Sequence, residues 1–335
     1  MAENYLSKFL KPRYISIGAL VDNRFVVIRR EATWIDRVTY VAKDTMYDEL
    51  CLLHSIGKAV DNGQRMKAHL DFLALCRGIA GFPKLVKSFP LDDDSAQVIV
   101  TSPHGETLQH KLLKTAGFVS YENGLRLFYQ MMVLLEKVHN IGFVHRDVTP
   151  NSIRIDLGWD GNVSLEIHTF DYIAPANPAP ICKGMEKWNF QSPQVADGQP
   201  YNIVDDMISS LFVAMNSQAA NSLWERLSSD LTVIERKKKF HDDPIDFFDD
   251  KNLEWMGRLY IELVRQRVQG FDRDGIMKIL DNAIPNVDPK SPLTWAFVST
   301  SSADFKLLQN REKSGEPSVP NAMHKVVVVP NSYRD

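Results

Sequence analysis

Phe143-Val144-His145-Arg146-Asp147-Val148-Thr149-Pro150-Asn151-Ser152 is the stretch that decides the reading of this chain. Before it, Leu127, Met131, Leu134, Leu135 and Val138 recur at helical spacing and stop near Asn140-Ile141-Gly142, so a helix delivers the stretch. After it, Ile153-Arg154-Ile155, a turn at Asp160-Gly161, and alternating Val163, Leu165 and Ile167 describe a hairpin. Phe170-Asp171-Tyr172-Ile173 closes that hairpin and places a second carboxylate 24 residues beyond Asp147. Two carboxylates delivered this way can divide the work of phosphoryl transfer. One orients the attacking hydroxyl or accepts its proton, while the other holds Mg²⁺ against the phosphates. A bare His-Arg-Asp triplet is a weak signal. Helix, triplet, hairpin and second Asp in this order make a strong one.

Upstream, residues 14–20, 25–30, 37–42 and 97–101 form short β-branched runs. A long helical stretch is predicted between the third and fourth, over roughly residues 46–79, with an apolar stripe at Phe72, Leu75, Cys76 and Ile79. These are the contents of a β-rich lobe, assigned to residues 14–104 behind an N-terminal extension, residues 1–13. Residues 105–297 read as a mainly helical lobe. Val204, Met207, Ile208, Leu211, Phe212 and Met215 give its cleanest periodicity, a deeply buried helix. Met256, Leu259, Tyr260, Leu263 and Val264 give a later one. Residues 298–335 turn Ser-, Pro- and charge-rich and read as a tail. The fold class is α+β, two lobes with a cleft between them.

The pattern resembles the catalytic loop and metal-binding segment of eukaryotic protein kinases, and the likeness runs over residues 14–297. The double Asp at Asp205-Asp206, the Lys237-Lys238-Lys239-Phe240 region and Leu293-Thr294-Trp295 are most similar to the casein kinase I and vaccinia-related branch. The resemblance implies ATP and Mg²⁺ as cofactors. It places Asp147 and Thr149 at the reacting groups and Asp171 and Ser152 at the metal. Lys43, in Tyr40-Val41-Ala42-Lys43, would grip the phosphates, with Ile28 and Val41 roofing the adenine. Thr101, Ser102 and His104 would line the hinge. His145, Arg146, Tyr172 and Asp206 would brace the loop.

Several residues depart from the family pattern. The three phosphate-loop glycine positions, counted back from Lys43, fall on Val21, Asn23 and Val26, so backbone amides cannot approach phosphate closely. Thr149 stands where serine/threonine kinases carry Lys, and Ser152 stands where they carry a metal-binding Asn. Together these two changes are expected to cost about 4–7 kcal/mol of transition-state stabilisation. Ile173 replaces a glycine, and Gln194 replaces a glutamate that anchors the activation segment. The carboxylate partner of Lys43 stays open between Glu49, the position of His69, and none. The functional expectation is a catalytically impaired homologue that works through a protein partner and binds ATP weakly. The alternative is an active, atypical serine/threonine kinase with a protein substrate.

Composition narrows the remaining classes. A net charge of −3 lacks the basic excess of nucleic-acid binders, and no apolar run is long enough for a membrane span. Three scattered cysteines and no signal-peptide pattern lead to the expectation of a cytoplasmic or nuclear protein. Plainer readings stand beside the sharp ones. Asp147 and Asp171 could be bracing carboxylates, His145 a packed core histidine, Lys43 an edge-strand surface lysine, and Arg236–Lys239 a solvated helix face.

Overall fold

The structure, a computed structural model, describes residues 14–33, 37–57, 63–91, 96–102, 105–114, 119–158, 162–177, 190–218, 233–248 and 250–294. Residues 1–13, His104, the Asp160-Gly161 turn and the 298–335 tail lie outside them.

The N-terminal part is one antiparallel sheet built from six strands. These are β1 (Leu20–Val21), β2 (Phe25–Thr33), β3 (Arg37–Asp44), β4 (Glu49–Gly57), β5 (Leu85–Pro90) and β6 (Ala96–Thr101), in spatial order β1-β2-β3-β4-β6-β5. Alternation sets the two faces. Phe25, Val27, Val38, Tyr40, Ala42, Cys51, Leu53, Val98 and Val100 form one apolar cluster inside the curl of the sheet. The curl brings its two edges together, where Lys87 pairs with Asp22 and Phe25 stacks on Phe89 at 6.1 Å. Arg37, Thr39, Leu52, His54, Ile99 and Thr101 occupy the alternate positions.

The expected helix over 46–79 is corrected. Helix α1 covers only Gln64–Leu75, and Glu49–Gly57 is a strand buried over most of its length. A strand covered on both faces reads as a continuous apolar run, here Leu50-Cys51-Leu52-Leu53, and so gives no period-2 signal. The run at 14–20 contributes only Leu20–Val21 as strand.

The C-terminal part follows its expected order. Helix α2 (Leu108–Lys114) leads to α3 (Tyr121–Asn140), which starts on Ser120, whose hydroxyl accepts from the Asn123 amide. Strand β8 (Phe143–Val144) pairs with β11 (Ala174–Pro175), and β9 (Ile153–Leu157) with β10 (Asn162–Ile167). The second pair is flanked by β7 (Glu106–Thr107) and β12 (Leu293–Thr294). Short α4 (Pro193–Ala196) precedes α5 (Ile203–Gln218), which is buried nearly all round, as its periodicity demands. Gly124 lets α3 and α5 meet, because a Cβ there would sit 1.8 Å from the Gln218 side chain. Helices α6 (Val233–Asp242), α7 (Glu254–Gln269) and α8 (Arg273–Asp281) complete the part. Phe72, Phe82 and Ile99 belong to the same core cluster as α3, α5 and α7, so the sheet and helical parts share apolar packing.

Candidate active-site cleft

The loop after β8 is held by one buried carboxylate. Asp206, at the start of α5, accepts the backbone amides of His145 (2.8 Å) and Arg146 (2.9 Å), the Tyr201 hydroxyl (2.7 Å) and the His139 ring at 2.9 Å. Burial alone would raise the Asp206 carboxyl. The bonds to His139 and the loop amide outweigh it and bring the group below the usual carboxylate range. Arg146 takes a left-handed backbone (φ 68°), which a non-glycine residue sustains only when its surroundings fix it. Here its amide is tied to Asp206 and its guanidinium to the Tyr172 carbonyl. The fully buried His145 ring accepts the Asp147 amide at 3.2 Å and meets Phe170 edge-on, and burial lowers its basicity. Asp147 lines a small hollow with Arg146, Val148, Thr149, Phe190, Gln191 and Ser209. The Ser152 hydroxyl accepts the Thr149 amide and donates to the Thr149 carbonyl, both at 2.9 Å, so it closes the loop's own turn.

The second carboxylate meets the N-terminal sheet. Asp171 is 8% exposed, and its Oδ2 accepts from the Arg37 guanidinium at the start of β3. His69 of α1 stands 3.8 Å from Oδ1, and Arg65 Nε donates to the Asp171 carbonyl at 2.9 Å while lying 4.2 Å over the Tyr172 ring. Burial would raise the Asp171 carboxyl, but Arg37, with Arg65 nearby, leaves it below its ordinary value. Beside this group His54 of β4 bridges two strands, with Nδ1 3.1 Å from Thr39 Oγ1 and Nε2 3.3 Å from Thr101 Oγ1. The His54 ring also packs against His168 at 5.0 Å. Burial, and then the Arg37 charge, hold His54 well below its ordinary value, so at neutral pH it is an uncharged bridge. His69 falls to about 4 for the same first reason. Farther along, Arg154 of β9 pairs with Glu31 of β2 (3.0 Å) and donates to the Gly105 carbonyl (2.8 Å). Its cross-strand neighbour Glu166 is pushed up to about 8 by burial, only partly offset by Arg154.

Lys43 pairs with neither of the residues considered for it. Strand β3 turns directly into β4, and the Lys43 ammonium lies on Asp48 across that turn, at side-chain exposures of 45% and 82%. The strand that runs into the helix is β4, and its inward basic residue is His54. Neither residue considered as a partner meets Lys43, for Glu49 is exposed at the head of β4 and His69 faces Asp171. The loop counted as phosphate-binding is the β1–β2 turn, where Asp22 and Asn23 have positive φ. Ile28 is exposed on β2, while Val41 and Thr101 are buried. The Ser102 hydroxyl accepts the Lys84 amide. Among the basic run, Lys238 and Lys239 are exposed, but Lys237 is buried with its ammonium on the Gln191 carbonyl, and burial lowers it to about 7. Arg267 binds Asp205 (2.8 Å), which also accepts from Ser192 (2.6 Å), so this anchor does not run through Gln194.

Sequence reasoning missed Arg37, His54, Arg65, Glu31, Arg154 and Glu166. Two of them carried a signal. His54 interrupts an apolar run, and Arg154 sits between two isoleucines in a buried hairpin strand.

No protein-family model matches the chain. A segment of 90 residues is 28% identical to sperm motility kinase 1 of Mus musculus, covering 27% of this chain and 18% of that protein. Another of 102 residues is 32% identical to serine/threonine-protein kinase ppk21 of Schizosaccharomyces pombe, covering 30% of this chain and 17% of that protein. The chain therefore matches under a fifth of the length of these curated relatives. The solved structure of vaccinia related kinase 3 superposes with a TM-score of 0.63 at 15% identity, over 87% of this chain and 98% of that one. That likeness shows the fold: the chain has the two-lobed protein-kinase architecture, and the two segments are similar to parts of protein kinases.

Proposed function

We propose that this protein is a pseudokinase, which transfers no phosphate and acts by binding another protein. The observation that carries the reading is the state of Asp171, buried and ion-paired with Arg37 of its own chain. A Mg²⁺ ion takes oxygen ligands in near-octahedral geometry. Of the two donors assigned to it, Asp171 serves the guanidinium and Ser152 serves the Thr149 backbone. The side chains present do not fit Mg·ATP. An uncharged His54 in place of a phosphate-gripping ammonium, and Thr149 in place of lysine, remove the cations that neutralise a transferring phosphoryl group.

The kinase homologues support a protein as the partner. Incubation with labelled ATP, Mg²⁺ and protein acceptors is the direct test. No transfer above that of Asp147→Asn is expected. Transfer that Asp147→Asn abolishes would establish the active-kinase reading, which the intact Asp206 brace favours.

A further inference from the structure

We propose that Arg37 is the resident counterion of Asp171, a built-in cation that takes the place a divalent metal would need and closes the cleft without nucleotide. Arg37 opens β3 and lies two residues from Thr39, on the face turned toward His54, His69 and Asp171. Its guanidinium meets Asp171 Oδ2 with both side chains buried, Arg37 at 4% exposure. Around this pair, His69 flanks Oδ1 at 3.8 Å and Arg65 fixes the Asp171 carbonyl at 2.9 Å.

A metal at this carboxylate would have to sit beside the Arg37 charge on Oδ2. Guanidinium is charged at any accessible pH, and a displaced Arg37 would be left charged in a site with little water. The pair ties the first residue of β3 to the segment that follows β10. The cleft is held by an internal ion pair rather than by a bound ligand. This deepens the pseudokinase reading and rests on the same ion pair, but the tests differ: phosphate transfer decides that reading, and the coupling of the two side chains decides this one.

The test is a melting-temperature cycle over Arg37→Met, Asp171→Leu and the double variant, together with wild type melted in millimolar Mn²⁺. Each single change strands a buried charge and should lower melting by about 10 °C, whereas the apolar pair should regain most of that loss. Wild type should be unmoved by Mn²⁺. Should a single variant fail to fold, a folded double variant supports the pairing just as well. Single variants that melt with wild type, a double variant no better than its parents or unfolded, or a wild type stabilised by Mn²⁺ would each overturn it.

Discussion

Two regions of the molecule differ in how they hold their carboxylates, the loop braced by Asp206 and the surroundings of Asp171. Around Asp206 the loop from His145 to Ser152 is held as a loop-bracing network holds it, with two amides, a tyrosine and a histidine on one carboxylate. Around Asp171 the contacts are of another kind: Arg37 meets the carboxylate, His54 bridges Thr39 and Thr101, and Arg154 pairs with Glu31. The difference teaches that backbone bracing and phosphate chemistry are separable. Bracing contributes to folding in every copy of the chain, whereas phosphate-binding groups contribute only when ligand is present.

Removing the brace should have the largest effect. Asp206→Ala orphans two buried amides and a tyrosine hydroxyl, and denaturant unfolding should register a loss of about 3–5 kcal/mol. A loss below about 1 kcal/mol would erase the contrast between the two regions.

The Asp171 side is sharpened by pH. Glu166 in the fold binds its proton up to about 8, against an ordinary value of 4.5, so the folded state holds more protons than the unfolded one between those limits. Stability from this group is therefore greatest below about pH 4.5 and declines as pH rises toward about 8. Glu166→Gln should remove the decline, gaining on the order of 3 kcal/mol over wild type at pH 8 relative to pH 5. Lys237 works in the other direction. Its folded value of about 7 lies below the ordinary 10.5, so its penalty is complete below pH 7 and fades as pH rises to 10.5. Lys237→Met should flatten that part of the stability profile, and an unchanged slope would show that the ammonium is not desolvated.

Lys43 marks the small end of the scale. Its exposed pair with Asp48 is of a kind worth under about 1 kcal/mol, so Lys43→Ala should change unfolding free energy by no more than about 0.5 kcal/mol. A larger effect would restore Lys43 to the cleft.

These contrasts also show what was legible from sequence. The helix–loop–hairpin order around Asp147 was readable because amphipathic spacing and turn residues are local signals. Asp206 was readable because it opens the most regular helix of the chain. The register of the first strands was not. Strand β4 is covered on both faces over most of its length, so its apolar run carries no period-2 signal, and the turn between β3 and β4 has no strong sequence mark. The roles of Arg37 and His54 were hidden for a different reason, although His54 stood out by interrupting an apolar run. Their significance lies in what they face, Asp171 and His168, which are more than a hundred residues away in the chain and are brought near only by tertiary packing.

The central claim is that the cleft is filled by its own side chains, and a nucleotide titration tests it most directly. Wild-type protein should show neither heat of binding nor a shift in melting with millimolar ATP, whether or not Mg²⁺ is added. Saturable, Mg²⁺-dependent binding of ATP, abolished by Asp171→Asn, would contradict it.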